Sequence, residues 1–231
     1  MASKSKATRD DHSAFATKKL GHKCGNCNIT GKETTLKICA RCKTIQYCSR
    51  DCQKAHWKTH KDICNRNAEH AAAVVEADQN GFGSTLLPPG ISFKELDERL
   101  EKWIKFHHST LMATIIHGLA LPRDLKRSRT HVIQMKVCPR LDHNGVSGKF
   151  FRVLNAEAVE ISTARGFSPV WEESLEQMRT LREESEGKRQ GTVAAIGVEC
   201  EPLGVQFVPF GSLRDLSPIR ILPNWKELLI G

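Results

Sequence analysis

Residues 24–64 read CGNCNITGKETTLKICARCKTIQYCSRDCQKAHWKTHKDIC and hold seven of the nine cysteines of the chain. Thiolate and imidazole are the donors that zinc prefers, and an ion with four protein ligands is a structural site. The spacing of these residues predicts two closed tetrahedral zinc sites. The eight candidate ligands form four closely spaced pairs: Cys24/Cys27, Cys39/Cys42, Cys48/Cys52 and His60/Cys64.

The spacing within each pair has a structural reason. In the first two pairs, two intervening residues allow a tight turn to present two sulfurs to one ion. In the last two pairs, three intervening residues place both donors on one face of a helix. His60 lies one turn from Cys64, but His56 lies two turns away, about 12 Å along a helix, and is too far to share its site. His22 is a weaker rival ligand just before the first cysteine. Spacing alone leaves open whether the pairs combine sequentially or interleave.

The segment YCSRDCQKAHWKTHKDIC, residues 47–64, together with the two upstream cysteine pairs, resembles a MYND zinc finger. The resemblance covers residues 24–64 and implies a cross-braced arrangement with two Zn²⁺ per chain. One zinc is then expected on Cys24, Cys27, Cys48 and Cys52. The other is expected on Cys39, Cys42, His60 and Cys64.

Gln53 and Trp57 are candidates for peptide binding. They are four residues apart on the predicted helix and therefore share one face. In MYND domains of transcriptional co-repressors, which this segment resembles, a Gln and a Trp at these positions line a groove for extended proline-containing peptides. Ala40 departs from the polar residue that some peptide-binding members carry after the third ligand cysteine. The alternative is a purely structural finger that supports the rest of the chain, since so small a domain needs its zinc to fold.

The charge of the chain is concentrated at its front. Residues 1–70 carry 15 Lys/Arg against 6 Asp/Glu, whereas residues 71–231 carry 20 of each. This basic front makes nucleic acid an alternative partner through phosphate contacts. We disfavour it because seven thiolates and two Zn²⁺ reduce the formal charge to about +6. Only Phe15, Tyr47 and Trp57 are available there to stack on bases.

The composition predicts a small module followed by a larger domain in a soluble, cytoplasmic or nuclear protein. No apolar run is long enough for a membrane span, and residues 1–15 lack the apolar core of a secretory signal. In a reducing compartment, clustered cysteines are more often metal ligands than disulfides. We expect four segments: a flexible basic tail (1–23), the finger (24–64), a helical extension and linker (65–91), and an α+β domain (92–231).

The pattern of residues 92–231 predicts helices and strands in runs, which is typical of an α+β fold. Ser92 and Glu95 form a capping box ahead of one helix whose apolar spacing continues to Ile115. A second helix is predicted at 171–184 and a short one at 225–229. Strands are predicted at 131–137, 150–161, 192–200 and 205–210, with a turn at Asn144-Gly145.

No catalytic set emerges from the sequence, and we expect a protein-binding chain rather than an enzyme. Some MYND fingers interrupt SET methyltransferase domains, but only 23 residues precede this finger, and Tyr47 is the only tyrosine for that chemistry. The pairs His107-His108 and Asp142-His143 are explained by helix and turn positions. Cys138 and Cys200 lie in strand-like runs and are expected to act as small buried hydrophobes. The residues of 92–231 indicate no function.

Overall fold

The computed structural model describes residues 23–80, 87–201 and 203–229. The predicted basic tail therefore lies outside the described residues apart from Lys23, as do His22 and residues 81–86 of the predicted linker. Contacts divide the chain into two compact units, with the boundary in the sequence between Ala73 and Val74.

The first unit combines a short hairpin with the start of a long helix. Strands β1 (Lys37–Ile38) and β2 (Gln46–Tyr47) pair antiparallel, and helix α1 runs from Arg50 to Gln79. Ser49 starts α1 because its Oγ accepts the Cys52 N–H at 3.1 Å, which satisfies a free donor of the first turn. The helix does not end at Cys64 but continues through the following alanine-rich stretch, whose residues favour this state.

The second unit contains a four-stranded sheet in the order β4-β3-β5-β6. Its strands are β3 (His131–Pro139), β4 (Phe151–Glu160), β5 (Thr192–Cys200) and β6 (Gly204–Leu213). β3 pairs antiparallel with β4 and parallel with β5, and β5 pairs antiparallel with β6. The parallel pair needs a long crossover, and β4 and two helices lie within it. Asn144 and Gly145 both have positive φ, 48° and 77°, in the turn predicted between β3 and β4.

One face of the sheet packs on helices α2 (Phe93–Phe106) and α3 (His108–Gly118). Ser92 caps α2 as expected, because its Oγ accepts the Glu95 N–H at 3.1 Å. The single helix expected up to Ile115 is instead two helices that meet at His107. The backbone of His107 leaves the helical region at φ −90° and ψ 13°, and its ring lies 2.9 Å by Nε2 from the carbonyl of Gly148. That bond to a distant loop favours the break.

The opposite face of the sheet packs on helices α5 (Ile161–Ala164) and α6 (Pro169–Gly187). Trp171 is 1% exposed and lies directly over Gly197, where a Cβ would come within 2.5 Å of its ring. Its indole N–H donates to the Glu199 carboxylate at 2.6 Å. The glycine is needed here because the ring approaches the strand so closely.

Helix α4 (Arg127–Thr130) and the short 3₁₀ helices Ser147–Lys149 and Trp225–Leu229 complete the second unit. The expected α+β class is thus confirmed, with a separate finger ahead of it. Cys200 is fully buried in the core, whereas Cys138 is half-buried and accepts a hydrogen bond from Arg152 at 2.9 Å. In the described part of the chain, no helix is both long enough and apolar enough to span a bilayer.

Candidate metal centre

The structure brings the eight predicted ligands into two groups of four. Within each group the donor atoms all lie within 4.8 Å of one another. The cross-braced arrangement is therefore confirmed, and the sequential pairing that spacing left open is excluded. The first group contains Cys24, Cys27, Cys48 and Cys52, and the second contains Cys39, Cys42, His60 and Cys64.

The distances between donors fit tetrahedral zinc. Bonds of about 2.3 Å to sulfur and 2.1 Å to nitrogen separate two sulfurs by about 3.8 Å, and sulfur from nitrogen by about 3.6 Å. The sulfurs of Cys39 and Cys64 are 3.8 Å apart, and Cys42 Sγ is 3.6 Å from His60 Nε2. In the first group, Cys48 Sγ lies 3.6 Å and 3.5 Å from the sulfurs of Cys27 and Cys52. These separations suit a shared ion and are far too long for disulfide bonds of about 2.05 Å.

The tight turns of the two Cys-x2-Cys pairs prepare thiolates for the metal. Burial alone raises the pKa of the Cys24 thiol, but backbone N–H groups of Cys27, Cys48 and Asn26 lower it to about 6. Cys39 shows the same balance. Burial raises its pKa, while the Cys42 backbone N–H and the His60 side chain help lower it to about 6. Because zinc binds thiolate rather than thiol, these hydrogen bonds favour metal binding at Cys24 and Cys39. In the same groups, the Cys52 side chain raises the pKa of Cys48 to about 12 and burial raises that of Cys64 to about 11.

The two groups differ in exposure. All four ligands of the second group are buried, whereas in the first group only Cys24 is buried and Cys27 is exposed. Tyr47 contributes to the wall of the finger core at 2% exposure. Burial and the negative charge of nearby cysteines raise its pKa to about 12, so it remains a neutral phenol. The first zinc site is the one that solvent reaches.

His56 belongs to neither group, as the helical spacing predicts. Its Nδ1 forms a 3.0 Å hydrogen bond with the buried Tyr47 hydroxyl, and its ring stacks on that of His60 at a centroid distance of 6.0 Å. His56 thus packs beside the ligand that the site uses. The sequence did not indicate the roles of Tyr47 and His56, although both residues lie within the motif, between the ligands Cys42 and His60.

Gln53 and Trp57 lie next to the second zinc group without being ligands. Gln53 is half-buried, and its side-chain amide donates to Cys39 Sγ at 3.6 Å. Trp57 is 38% exposed and meets the edge of the His60 ring at 6.1 Å between centroids. Gln53 therefore has a structural contact that the sequence did not indicate, while Trp57 keeps much of its ring in solvent.

The other histidine and acidic pairs keep structural roles. His143 Nε2 lies 2.8 Å from the Arg99 guanidinium, and Asp142 accepts two hydrogen bonds from Arg140. The Arg140 guanidinium lowers the pKa of Asp142 to about 2. His108 packs against Phe210 at 4.8 Å between centroids. In the described part of the chain, these contacts give both pairs packing and hydrogen-bond partners within the second unit.

Metal analysis of the purified chain is expected to give two zinc ions per molecule. A chelator should remove them in two steps, because three of the first group's ligands are at least partly exposed and all of the second group's are buried. A colorimetric zinc assay during chelator titration measures both quantities. Cys138→Ser serves as the control and should keep both ions, since Cys138 belongs to neither group. A single zinc or none would contradict the two-site arrangement.

Comparison with known proteins identifies the segment. Residues 22–64 match the MYND finger family. Over 61 residues the chain is 39% identical to "Ubiquitin carboxyl-terminal hydrolase 19" of Arabidopsis thaliana, covering 26% of this chain and 9% of that protein. It is 57% identical over 53 residues to a SET and MYND domain-containing protein of Dictyostelium discoideum, covering 23% of this chain and 10% of that protein. The "Zinc finger MYND domain-containing protein 10 homolog" of Drosophila melanogaster is 46% identical over 43 residues, which cover 19% of this chain and 9% of that protein.

These matches concern the finger. The chain spans about a tenth of the length of each of these relatives. No solved structure matches the chain. Residues 22–64 are thus a MYND-type zinc finger with two zinc-binding groups, a type of module that binds other proteins.

Proposed function

We propose that the MYND finger docks an extended, proline-containing peptide of a partner protein against Gln53, Trp57 and the free edge of β1. The observation that carries this proposal is the exposure of Trp57. A large aromatic ring that is 38% exposed and binds no zinc is not needed to close the metal sites. Exposed aromatic rings next to a rigid framework are common anchors for partner binding.

One contact links the helical face that carries Trp57 to the hairpin beside the second zinc group. Gln53 shares the helical face of Trp57 and donates to the sulfur of Cys39, the residue that follows β1. Ile38 of β1 is 50% exposed. In the described part of the chain β1 pairs only with β2, so its other edge offers backbone N–H and C=O groups.

These features suit an extended peptide. A strand-like segment can pair with the open edge of β1, and proline rings can pack flat on the indole of Trp57. A proline-containing segment is already extended in solution, so it loses little conformational entropy on binding. The combination of a free edge and a neighbouring aromatic surface therefore favours this ligand over a helical one.

The relatives support a portable docking role. Their names describe a ubiquitin hydrolase, a SET protein and a zinc-finger protein, so similar fingers accompany different remaining sequences. Their activities belong to those proteins, because the matches span about a tenth of each relative. A module that recurs beside different domains is suited to recruiting partners rather than to one reaction.

Replacing Trp57 by alanine is expected to weaken peptide capture about thirtyfold, since aromatic anchors often contribute about 2 kcal/mol or more. The measurement is fluorescence-based binding of the full chain to an immobilised library of proline-containing peptides, together with a zinc assay. Both zinc ions should remain bound, because Trp57 is not a ligand. Phe106→Ala provides the control, since Phe106 is 64% exposed and lies in the second unit.

The outcomes separate this proposal from its alternatives. If Trp57→Ala releases zinc, the ring belongs to the finger core and no docking surface exists there. If the variant keeps both its zinc and every peptide ligand, the finger is structural or binds elsewhere. Binding of an oligonucleotide that disappears with added salt and ignores Trp57 would instead favour nucleic acid.

A further inference from the structure

The second unit contains a cup that the proposed peptide docking does not use. Its volume is about 380 Å³, within the range of sites for small molecules. Three separate chain segments meet there: the start of α4, the end of α6 with the following turn, and the end of β6. The lining residues are Leu125, Lys126, Arg129, Glu186, Arg189, Gly191, Thr192, Leu213 and Arg214.

The cup is strongly basic. Four of its lining residues are cationic and one, Glu186, is acidic. Glu186 is paired with Arg129 at 2.6 Å. Lys126, Arg189 and Arg214 are exposed and form no ion pair with any carboxylate in the described part of the chain. Their charges are therefore available to a ligand.

This charge is a local concentration rather than a property of the whole unit. Residues 74–231 carry 20 Lys/Arg and 20 Asp/Glu, but segments 122–129, 186–192 and 213–223 carry eight against three. The other two acidic residues of these segments, Asp124 and Asp215, accept hydrogen bonds from nearby backbone N–H groups. Asp124 accepts from the Lys126 N–H at 2.9 Å, and Asp215 accepts from the Ser217 N–H at 3.1 Å. An excess of positive charge on one part of a neutral unit creates a potential that attracts anions.

The floor of the cup is held in place. Thr192 is 7% exposed, and its hydroxyl lies 3.1 Å from that of Ser128. Ser128 donates to the Leu125 carbonyl at 2.8 Å, so the Thr192 hydroxyl donates to Ser128 and keeps its lone pairs free. Gly191 has φ 95°, and a Cβ there would meet the Leu213 carbonyl at 2.6 Å. The turn and the end of β6 thus approach so closely that a side chain at position 191 would clash.

A buried arginine adds to the positive potential. Arg182 is 7% exposed and its Nε donates to the Val193 carbonyl at 2.9 Å. Burial lowers the pKa of its guanidinium, Glu186 opposes this shift, and the charge of Arg129 adds to it. Glu186 is ion-paired with Arg129, and the negative charges of Glu186 and Glu183 also act on Arg182.

We propose that this cup binds the phosphate group of a small phosphate ester, with Arg189, Arg214 and Lys126 as its cationic ligands. Guanidinium groups bind phosphate oxygens through two parallel N–H bonds, and lysine adds a point charge. The cup contains no aromatic side chain on which a nucleobase of a single strand could stack. Its volume of about 380 Å³ suits a small anion better than a long nucleic acid.

The test is a titration of the ¹⁵N-labelled, zinc-loaded full chain with inorganic phosphate and, separately, with ATP at low ionic strength. Both probes are expected to shift the amide signals of Gly191 and Thr192 in a saturable way. The double variant Arg189→Ala/Arg214→Ala should bind each probe at least about tenfold more weakly. Glu186→Gln should bind about threefold more tightly, because it removes the cup's carboxylate and releases Arg129.

Lys102→Ala/Lys105→Ala is the matched control. It loses the same charge from exposed positions on α2, outside the cup, and should bind like the unchanged chain. Saturable binding of ATP at this cup supports an ester as the ligand, whereas binding of inorganic phosphate without binding of ATP would overturn the ester and leave a site for the free anion. The proposal is overturned if neither probe shifts the two amides at millimolar concentration, or if the control loses as much affinity as the arginine variant. Binding of a long RNA alone would also overturn it.

Discussion

Replacing His60 by alanine is expected to release zinc from the second group and to unfold the finger, while the second unit stays folded. His60 is fully buried, and its Nε2 faces the sulfur of Cys42 at 3.6 Å. Structural zinc contributes about 10–16 kcal/mol to the folding of such small domains. The buried side chains of the finger are mainly its own ligands, so no apolar core remains to replace this contribution.

The measurement combines zinc content with two-dimensional NMR of the full chain. Signals from 23–64 should collapse into the range of an unfolded chain, whereas signals from the sheet of the second unit should keep their positions. His56→Ala is the control and should retain both zinc ions, because His56 belongs to neither group. A loss of the sheet signals in His60→Ala would show that the second unit depends on the finger.

Replacing Trp171 by alanine is expected to destabilise the second unit by about 3–5 kcal/mol, the usual cost of removing a large buried aromatic side chain. Trp171 covers Gly197 and packs edge-on against Phe207 at 4.8 Å between ring centroids. Its removal also leaves the Glu199 carboxylate without the indole donor at 2.6 Å. The loss therefore combines a cavity with a polar group that has lost a partner.

Urea unfolding followed by circular dichroism measures this change as a shift of the midpoint. Trp171→Phe is a milder change, because it keeps an aromatic ring while removing the N–H and part of the indole, and should cost about 1–3 kcal/mol. Gly197→Ala should also destabilise, since its Cβ would lie 2.5 Å from the Trp171 ring. A midpoint unchanged in Trp171→Ala would contradict the packing described for this face.

The finger could be predicted because its information is local. Metal ligands must be chemically suitable and closely spaced, so the four pairs between Cys24 and Cys64 stand out in the sequence. Their combination into groups could not be read from spacing, because each pair can reach either ion. That step rested on the family resemblance and is confirmed by the distances within the groups.

The second unit was predictable in its elements but not in its packing. Periodicity placed each strand of the sheet, whereas the break at His107 depends on a bond to Gly148, 41 residues away in the chain. The cup was missed for the same reason. Its residues come from three segments separated by about 25 to 60 residues, and none carries a motif. Contacts made at such separations leave no periodic signal.

Because the two zinc groups interleave, neither half of the finger contains a complete set of ligands. On a ribosome, residues 24–42 present both Cys-x2-Cys pairs, yet the two pairs belong to different ions. The first set of donors becomes complete only when Cys52 emerges. A cleavage between Cys42 and Cys48 divides both sets at once. The same break in a sequential finger would leave two working halves, whereas here it leaves none, so the module can be gained or lost only as a whole.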